Sequence, residues 1–362
     1  MISRLTDRAL HGVALHGPGE IRPDALAFHS RIPVVDLLVG TVLFRRRFLS
    51  RGAVGHVDLP RAQDGGLDLL GLSIATRFPD LRGSLSGPHF RSLGLPMRAL
   101  PTNMELAEAL MRRVENWAVA SGGRLELVRS RARLTGFPRP DGRVGAFIGV
   151  QGGHVLDGDP AHVTLLRSLG ARMLAPAHVM DNELVGSNTG LRRGGLTPLG
   201  REVIDELQRS GIVVDLAHMS SRGIRDALPL LREPFVVSHT GLAAFHGRRS
   251  RLRRYSAANR NLSSEDALLV AEAGGLIGLT LSTSLLGGDT LGQVVDAFRY
   301  AADLVGVGHV ALGSDFDGGL RTVFDVTGLP RLTQGLLDGG FSPDEVAAVM
   351  GGNALRVLAA GA

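Results

Sequence analysis

Short apolar runs that end in a polar residue recur along this chain. Ala146–Val150 leads to Gln151, Met173–Ala177 to His178, Ile212–Leu216 to His218, and Phe235–Val237 to His239. The run Val310–Leu312 continues through Gly313-Ser314 to Asp315-Phe316-Asp317 and two glycines. Apolar runs of this kind read as parallel strands buried on both faces. Polar residues at the end of each read as strand ends converging on one site at the rim of a barrel.

Taken in order, the pattern predicts barrel strands at Pro33–Val39, Gly66–Ala75, Val144–Gln151, Arg172–His178, Ile212–His218, Phe235–His239, Leu276–Ser282 and His309–Asp315. Arg124–Val128 reads as a short strand outside the barrel. Met104–Ala120 places Leu106, Leu110, Val114 and Trp117 at helical spacing. Further helices are predicted at Val163–Leu169, Leu199–Ser210, Ser221–Leu231, Ser263–Ala273, Leu291–Val305, Ser342–Met350 and Asn353–Ala359, with Thr197-Pro198 as N-cap and first turn of the second of these. His56–Pro60 reads as a turn, and Arg45-Arg46-Arg47 as a solvated helix face. Strands alternating with helices over this length predict an α/β fold, the (β/α)8 TIM barrel. With no internal repeat and no linker, residues 1–362 are expected to form a single barrel domain, with an N-terminal extension over about residues 1–32 and C-terminal helices packed on it.

Composition narrows the function. There are no cysteines, which excludes disulfides, thiolate metal sites and a cysteine nucleophile. Met1–Ser30 has no continuous apolar core, so no secretory leader is expected, and no apolar run approaches the roughly 20 residues of a membrane helix. A cytoplasmic location without membrane partners follows as an expectation. All 40 basic residues are arginine, and the net charge is only +5 despite a pI near 10.8. Aromatic residues are 4% of the chain, too few for a base-stacking platform, so no nucleic-acid partner is expected.

The candidate chemistry is the set His178, His218, His239 and Asp315, four residues predicted at the same end of one barrel. His56, His89, His162 and His309 lack that placement and read as structural. The run Arg248–Arg254 lies between His239 and Arg260, either as a solvated loop or as a basic cover over the barrel mouth.

These residues resemble the membrane (renal) dipeptidase family of zinc peptidases, family M19, within the amidohydrolase-like barrels. The resemblance runs through Val35–Phe44, Ile148–His154, Leu174–Ser187, Gly195–His218, Val237–Leu242, Asn259–Gly275, His309–Gly319 and Gly351–Leu358, in family order. It implies a dipeptide-like small-molecule substrate and, since the family is often dimeric, a homodimer. It implies metal-ligand roles for His218 and His239, a substrate-polarising role for His178, proton transfer by Asp315, and a grip on the substrate carboxylate by Arg260.

The family's first zinc is held by a His-x-Asp pair, and a glutamate bridges both ions. Here the pair falls on Leu38 and Gly40, and the bridge falls on Gln151, a weak ligand. Asp36 is expected to lie a layer deeper in the barrel and not to substitute. At most one zinc is therefore expected, and two readings stand: a one-metal hydrolase of small amides with a free carboxylate, or a non-hydrolytic, metal-free member that binds a small ligand or partner. Leu38→His with Gly40→Asp and Gln151→Glu is expected from sequence to restore the two-ion centre.

Overall fold

The structure, a computed structural model, describes residues 4–17, 19–77, 102–139, 141–245 and 256–360. Among these residues its frame is nine strands: β1 (Val35–Val39), β2 (Leu69–Ala75), β3 (Leu125–Leu127), β4 (Val144–Gln151), β5 (Ala171–Ala175), β6 (Val213–Val214), β7 (Val236–Thr240), β8 (Leu276–Leu279) and β9 (Val310–Leu312). All ladders are parallel, in the order β1-β2-β4-β5-β6 and then β7-β8-β9, while β3 lies outside this ring on β4. The two sheets meet at two single bridges, Asp215 with Val236 and Val39 with Phe316. These seams close eight of the strands into the expected barrel, with helices around it.

The barrel interior is filled near the strand starts by Val35, Leu69, Phe147, Met173, Val213, Val236, Leu276 and Ala311. Ala354, Val357 and Leu358 from the last helix, Asn353–Ala360, belong to the same apolar cluster and plug that end. The opposite end, where the strands finish, is left for polar side chains. A second cluster packs the outer faces of the strands against the helices, among them Asn103–Ala120, which buries Leu106, Leu110 and Val114. That helix starts at a reciprocal cap between Thr102 and Glu105, and Thr197 caps Pro198–Arg209 as its sequence predicts. No helix among the described residues is long and apolar enough to cross a membrane.

Each seam carries the same side-chain clamp. Asp36 on β1 accepts hydrogen bonds from Leu38 N (3.2 Å) and, across the seam, from Ser314 N (2.9 Å) and Ser314 Oγ. Asp215 after β6 accepts from Ala217 N (2.9 Å), Ser238 N (2.8 Å) and Ser238 Oγ (2.5 Å). Both carboxyls are fully buried, and burial raises the pKa of each, that of Asp36 to about 7, against the lowering effect of these donors. A buried carboxyl without donors would be costly, so each clamp fixes which residue of the neighbouring strand stands beside it.

Two local expectations are corrected. Arg45–Arg47 forms no helix; Arg46 is partly buried, paired with Asp7 (2.5 Å) and with Asp317 (2.7 Å). The end of the expected turn His56–Pro60 opens a helix, Leu59–Asp64, because Asp58 accepts from Arg61 N and Pro60 fits the first turn. The runs Arg248–Arg254 and the residue His89 lie outside the described residues.

Removing one hydroxyl tests the seams. Ser238→Ala and Ser314→Ala should each cost about 1–3 kcal/mol, because a buried carboxyl loses a donor it cannot replace with water. Urea unfolding reads this directly; a loss below about 0.5 kcal/mol in both would mean the clamps do not hold the ring.

Candidate active site at the barrel mouth

Three of the four candidate residues are imidazoles brought together at the open end. The rings of His178 and His218 lie 4.8 Å apart, as do those of His218 and His239. His218 Nε2 and His239 Nε2 face each other at 3.0 Å. That separation suits two nitrogens sharing one ion at about 2.0–2.1 Å each, and it also suits one N–H···N hydrogen bond. His239 is aimed by the seam: its Nδ1 meets Ser238 Oγ at 2.8 Å, and that hydroxyl is held by Asp215. His218 stands at φ 65°, in the left-handed region that disfavours side chains, past the short strand β6.

Arg260 closes the group from the helix Ala257–Arg260. Its Nη2 donates to His239 O (2.9 Å) and lies 3.4 Å from His218 Nε2, and its carbonyl is held by Asn188 Nδ2 (2.9 Å). Burial lowers its pKa, while the charges of Asp315 and Asp215 oppose that effect. Burial, followed by the Arg260 charge, also lowers all three histidines, His178 to about 4 and the others well below their usual value. They are therefore neutral at pH 7, the form in which an imidazole binds a metal.

Asp315 follows the clamped Ser314 and is also left-handed, at φ 60°. Burial and the nearby Asp36 raise its pKa to about 7, with Arg260 acting against them. Gln151, at the last position of β4, donates to Ser73 Oγ at 3.0 Å, and its buried Oε1 has no partner. Asp36 is engaged in its seam and is not available as a metal ligand. His56, His162 and His309 have structural hydrogen bonds: Asp317 N donates to His56 Nδ1 (2.9 Å), and Nδ1 of His162 and of His309 meets the carbonyls of Leu156 (2.7 Å) and Gly275 (2.8 Å).

Does the donor set fit a metal? The pair His218 and His239 fits one ion, with the neutral Gln151 Oε1 as an unpartnered buried oxygen. No group of three or more His, Asp or Glu side chains is arranged around an ion among the described residues. The other family position does not fit. A Cβ on Gly40 would fall 2.6 Å from the Asp317 carbonyl oxygen and 3.0 Å from its carbon. This backbone is held in place: Gly40 N donates to Phe316 O (2.7 Å), His56 N donates to Asp317 Oδ1 (2.7 Å), and Arg46 pairs with the same carboxylate. Burial would raise the Asp317 pKa, but the charge of Arg46 and the hydrogen bond from His56 N hold it well below the usual carboxylate range.

Several residues that build the site were missed in the sequence. Ser238 and Ser314 each directly precede a site residue, His239 and Asp315, and their partners sit in a repeated tetrapeptide, Val34-Val35-Asp36-Leu37 and Val213-Val214-Asp215-Leu216. That repeat was the available signal, although the chain reads as repeat-free at longer periods. Asn188 and Asn261 lie in polar loops and gave none.

The model of the membrane dipeptidase family, peptidase family M19, matches residues 23–361. Dipeptidase aclJ of Aspergillus oryzae is 32% identical over 232 residues, 61% of this chain and 53% of that protein, so the match spans about half of that relative's length. A solved metallopeptidase of Rhodobacter sphaeroides, liganded with a phosphinate mimic of the dipeptide L-Ala-D-Ala, is 25% identical with a TM-score of 0.73, covering 92% of this chain and 100% of that one. The solved dipeptidase AC, a metallopeptidase of family M19, is 26% identical with a TM-score of 0.74, covering 91% and 99%.

The geometry at Gly40 reverses one expectation. Gly40→Ala should cost about 1–3 kcal/mol by overpacking against fixed backbone, and Leu38→His with Gly40→Asp and Gln151→Glu should lower thermal stability without adding a second ion. A triple variant that keeps the parent melting temperature and binds two zinc ions by elemental analysis would contradict this.

Proposed function

The chain belongs to the membrane dipeptidase family, peptidase family M19, and on that premise we propose that it is a metal-dependent hydrolase of a dipeptide or similar small amide with a free carboxylate, using at most one metal ion. The observation that carries this reading is the approach of His218 Nε2 to His239 Nε2, 3.0 Å, beside Arg260 and Asp315. The dipeptide mimic bound by the Rhodobacter metallopeptidase supports the substrate class. A cytoplasmic homodimer acting on small molecules, without nucleic-acid or membrane partners, completes the proposal.

An ion held by His218 and His239, with Gln151 as a weak third donor and zinc as the expected metal, would supply an acidified water and a polarised carbonyl when bound. The chain's own side chains do the rest. A guanidinium fork such as Arg260 suits a carboxylate through two parallel hydrogen bonds. In this structure that fork rests on His239 O and His218 Nε2, so a substrate carboxylate has to draw it away from the imidazole pair. Asp315, titrating at about 7, is suited to take a proton from water and return it to the leaving amine. His178, neutral and partnerless at Nδ1, is the candidate contact for the scissile amide.

The second reading is a non-hydrolytic member that binds a small ligand without metal. The backbone packed against Gly40 and the apolar Leu38 favour it, because they remove the other ion position entirely.

Zinc titration of chelator-treated protein should show no more than one site per chain. With zinc present, hydrolysis across a panel of L,L and L,D dipeptides should rise with pH and level off once Asp315 is ionised, at or below the value of about 7 that burial gives it without the ion, because Asp315 accepts a proton only when ionised. Asp315→Asn should keep the metal and lose at least about 100-fold in kcat. Arg260→Ala should raise KM for free dipeptides about 10-fold or more, with a smaller effect on C-terminal amides. If every substrate stays at the buffer rate while a dipeptide still binds, the second reading stands in place of the first.

A further inference from the structure

Beside His218 lies a small cavity of about 20 Å³, lined also by Asn188, Asn261, Thr240 and Arg260. Three of its lining residues carry a buried polar atom with no partner: Asn188 Oδ1, Asn261 Oδ1 and His218 Nδ1. The amide orientations are fixed by their other ends. Asn261 Nδ2 donates to Leu242 O (3.2 Å) and Leu285 O (2.8 Å), and Asn188 Nδ2 donates to Arg260 O (2.9 Å). Both Oδ1 atoms are therefore acceptors in need of a donor. The volume suffices for one water, and buried waters typically make about three hydrogen bonds.

We propose that this cavity is a water site in which one molecule donates to Asn188 Oδ1 and Asn261 Oδ1 and accepts from His218 Nδ1, and that this water fixes the tautomer of His218. A water whose two hydrogens go to the two amide oxygens has only a lone pair to offer the imidazole. His218 must then carry its hydrogen on Nδ1, which leaves a lone pair on Nε2. The guanidinium on the other side agrees: Arg260 Nη2, which can only donate, lies 3.4 Å from that same Nε2.

The consequence falls on the pair. The Ser238 hydroxyl gives its hydrogen to Asp215 and so accepts from His239 Nδ1–H, leaving Nε2 of His239 as a lone pair too. Two lone pairs then face each other across 3.0 Å, an arrangement that calls for a cation between or beside them. Without the water, His218 is free to place its hydrogen on Nε2 and close the gap as an N–H···N bond to His239. Asn188 and Asn261 are thus positioning residues for a cation seat, acting through a solvent molecule. The tautomer assignment stands independently of the hydrolase reading; its effect on metal affinity rests on that reading.

The test uses metal-free, ¹⁵N-labelled protein at pH 7.5, with the His218 ring signals assigned by their loss in His218→Gln. Long-range ¹H–¹⁵N spectra should show the Nδ1–H pattern for His218, and an Nε2–H pattern would overturn the proposal. A crystal structure of the same protein should hold one solvent peak within hydrogen-bond distance of all three atoms, and a cavity filled by side chains or left empty would overturn it. Asn188→Leu and Asn188→Asp both lose the donation to Arg260 O, but only the second keeps an acceptor. The leucine variant should move His218 toward Nε2–H and weaken zinc binding about 10-fold in competition with a fluorescent chelator, while the aspartate variant keeps the parent tautomer. Equal behaviour of the two variants would sink the water-mediated role.

Discussion

A buried carboxyl has to find its donors inside the protein, and in this barrel that requirement closes the ring. The eight-stranded wall is joined at two places only by single bridges. At each place a carboxyl, Asp36 or Asp215, takes the N–H of the residue two positions on and both donors of a serine on the neighbouring strand. Side-chain bonds thus replace ladder bonds where the ladder is thinnest. Each serine is followed directly by a site residue, so the interaction that seals the barrel also sets where Asp315 and His239 stand. That coupling lets the site carry backbone strain. His218, Asp315 and Asp317 all stand at positive φ, a conformation that costs of order 1–3 kcal/mol per residue and persists only when the surroundings over-determine it. The clamps, Arg46 and His56 supply that determination around the last strand end.

How much of this was legible in the chain follows the range of the interactions. The strand Val144–Gln151 was read to the residue because its eight positions are all buried, and a continuous apolar run announces that locally. The strands β6 and β9, at Val213–Val214 and Val310–Leu312, are shorter than the predicted Ile212–His218 and His309–Asp315. There the ladder gives way to the seam clamps, whose partners are distant in sequence, as with Asp36 and Ser314. Arg46 was misread for the same reason. In a run of three arginines it looks solvated, and only Asp7 and Asp317 make it a half-buried anchor. The convergence of His178, His218 and His239 is readable, since each stands at or just past the C-terminal end of an apolar run of one barrel. The space beside Gly40 is not, because the Asp317 backbone that fills it belongs to the other end of the chain.

The three departures from the family's ligand pattern are consistent with one another electrostatically. Leu38, Gly40 and Gln151 are all neutral, where the resemblance leads one to expect a histidine and two carboxylates. A carboxylate left at such a position without its ion would be a buried charge lacking a partner, which is among the costliest things a core can hold. Neutral residues at all three positions avoid that cost together, and the backbone over Gly40 takes up the room that a side chain would need. The charges that remain are balanced: Arg260 lies between the influence of Asp315 and Asp215, and it touches the imidazole pair. The imidazoles stand on the side of His218 and His239, and the side of Leu38 and Gly40 is apolar and filled by backbone. An arginine already rests against the imidazole pair, so any cation that binds there has to coexist with that charge or displace it.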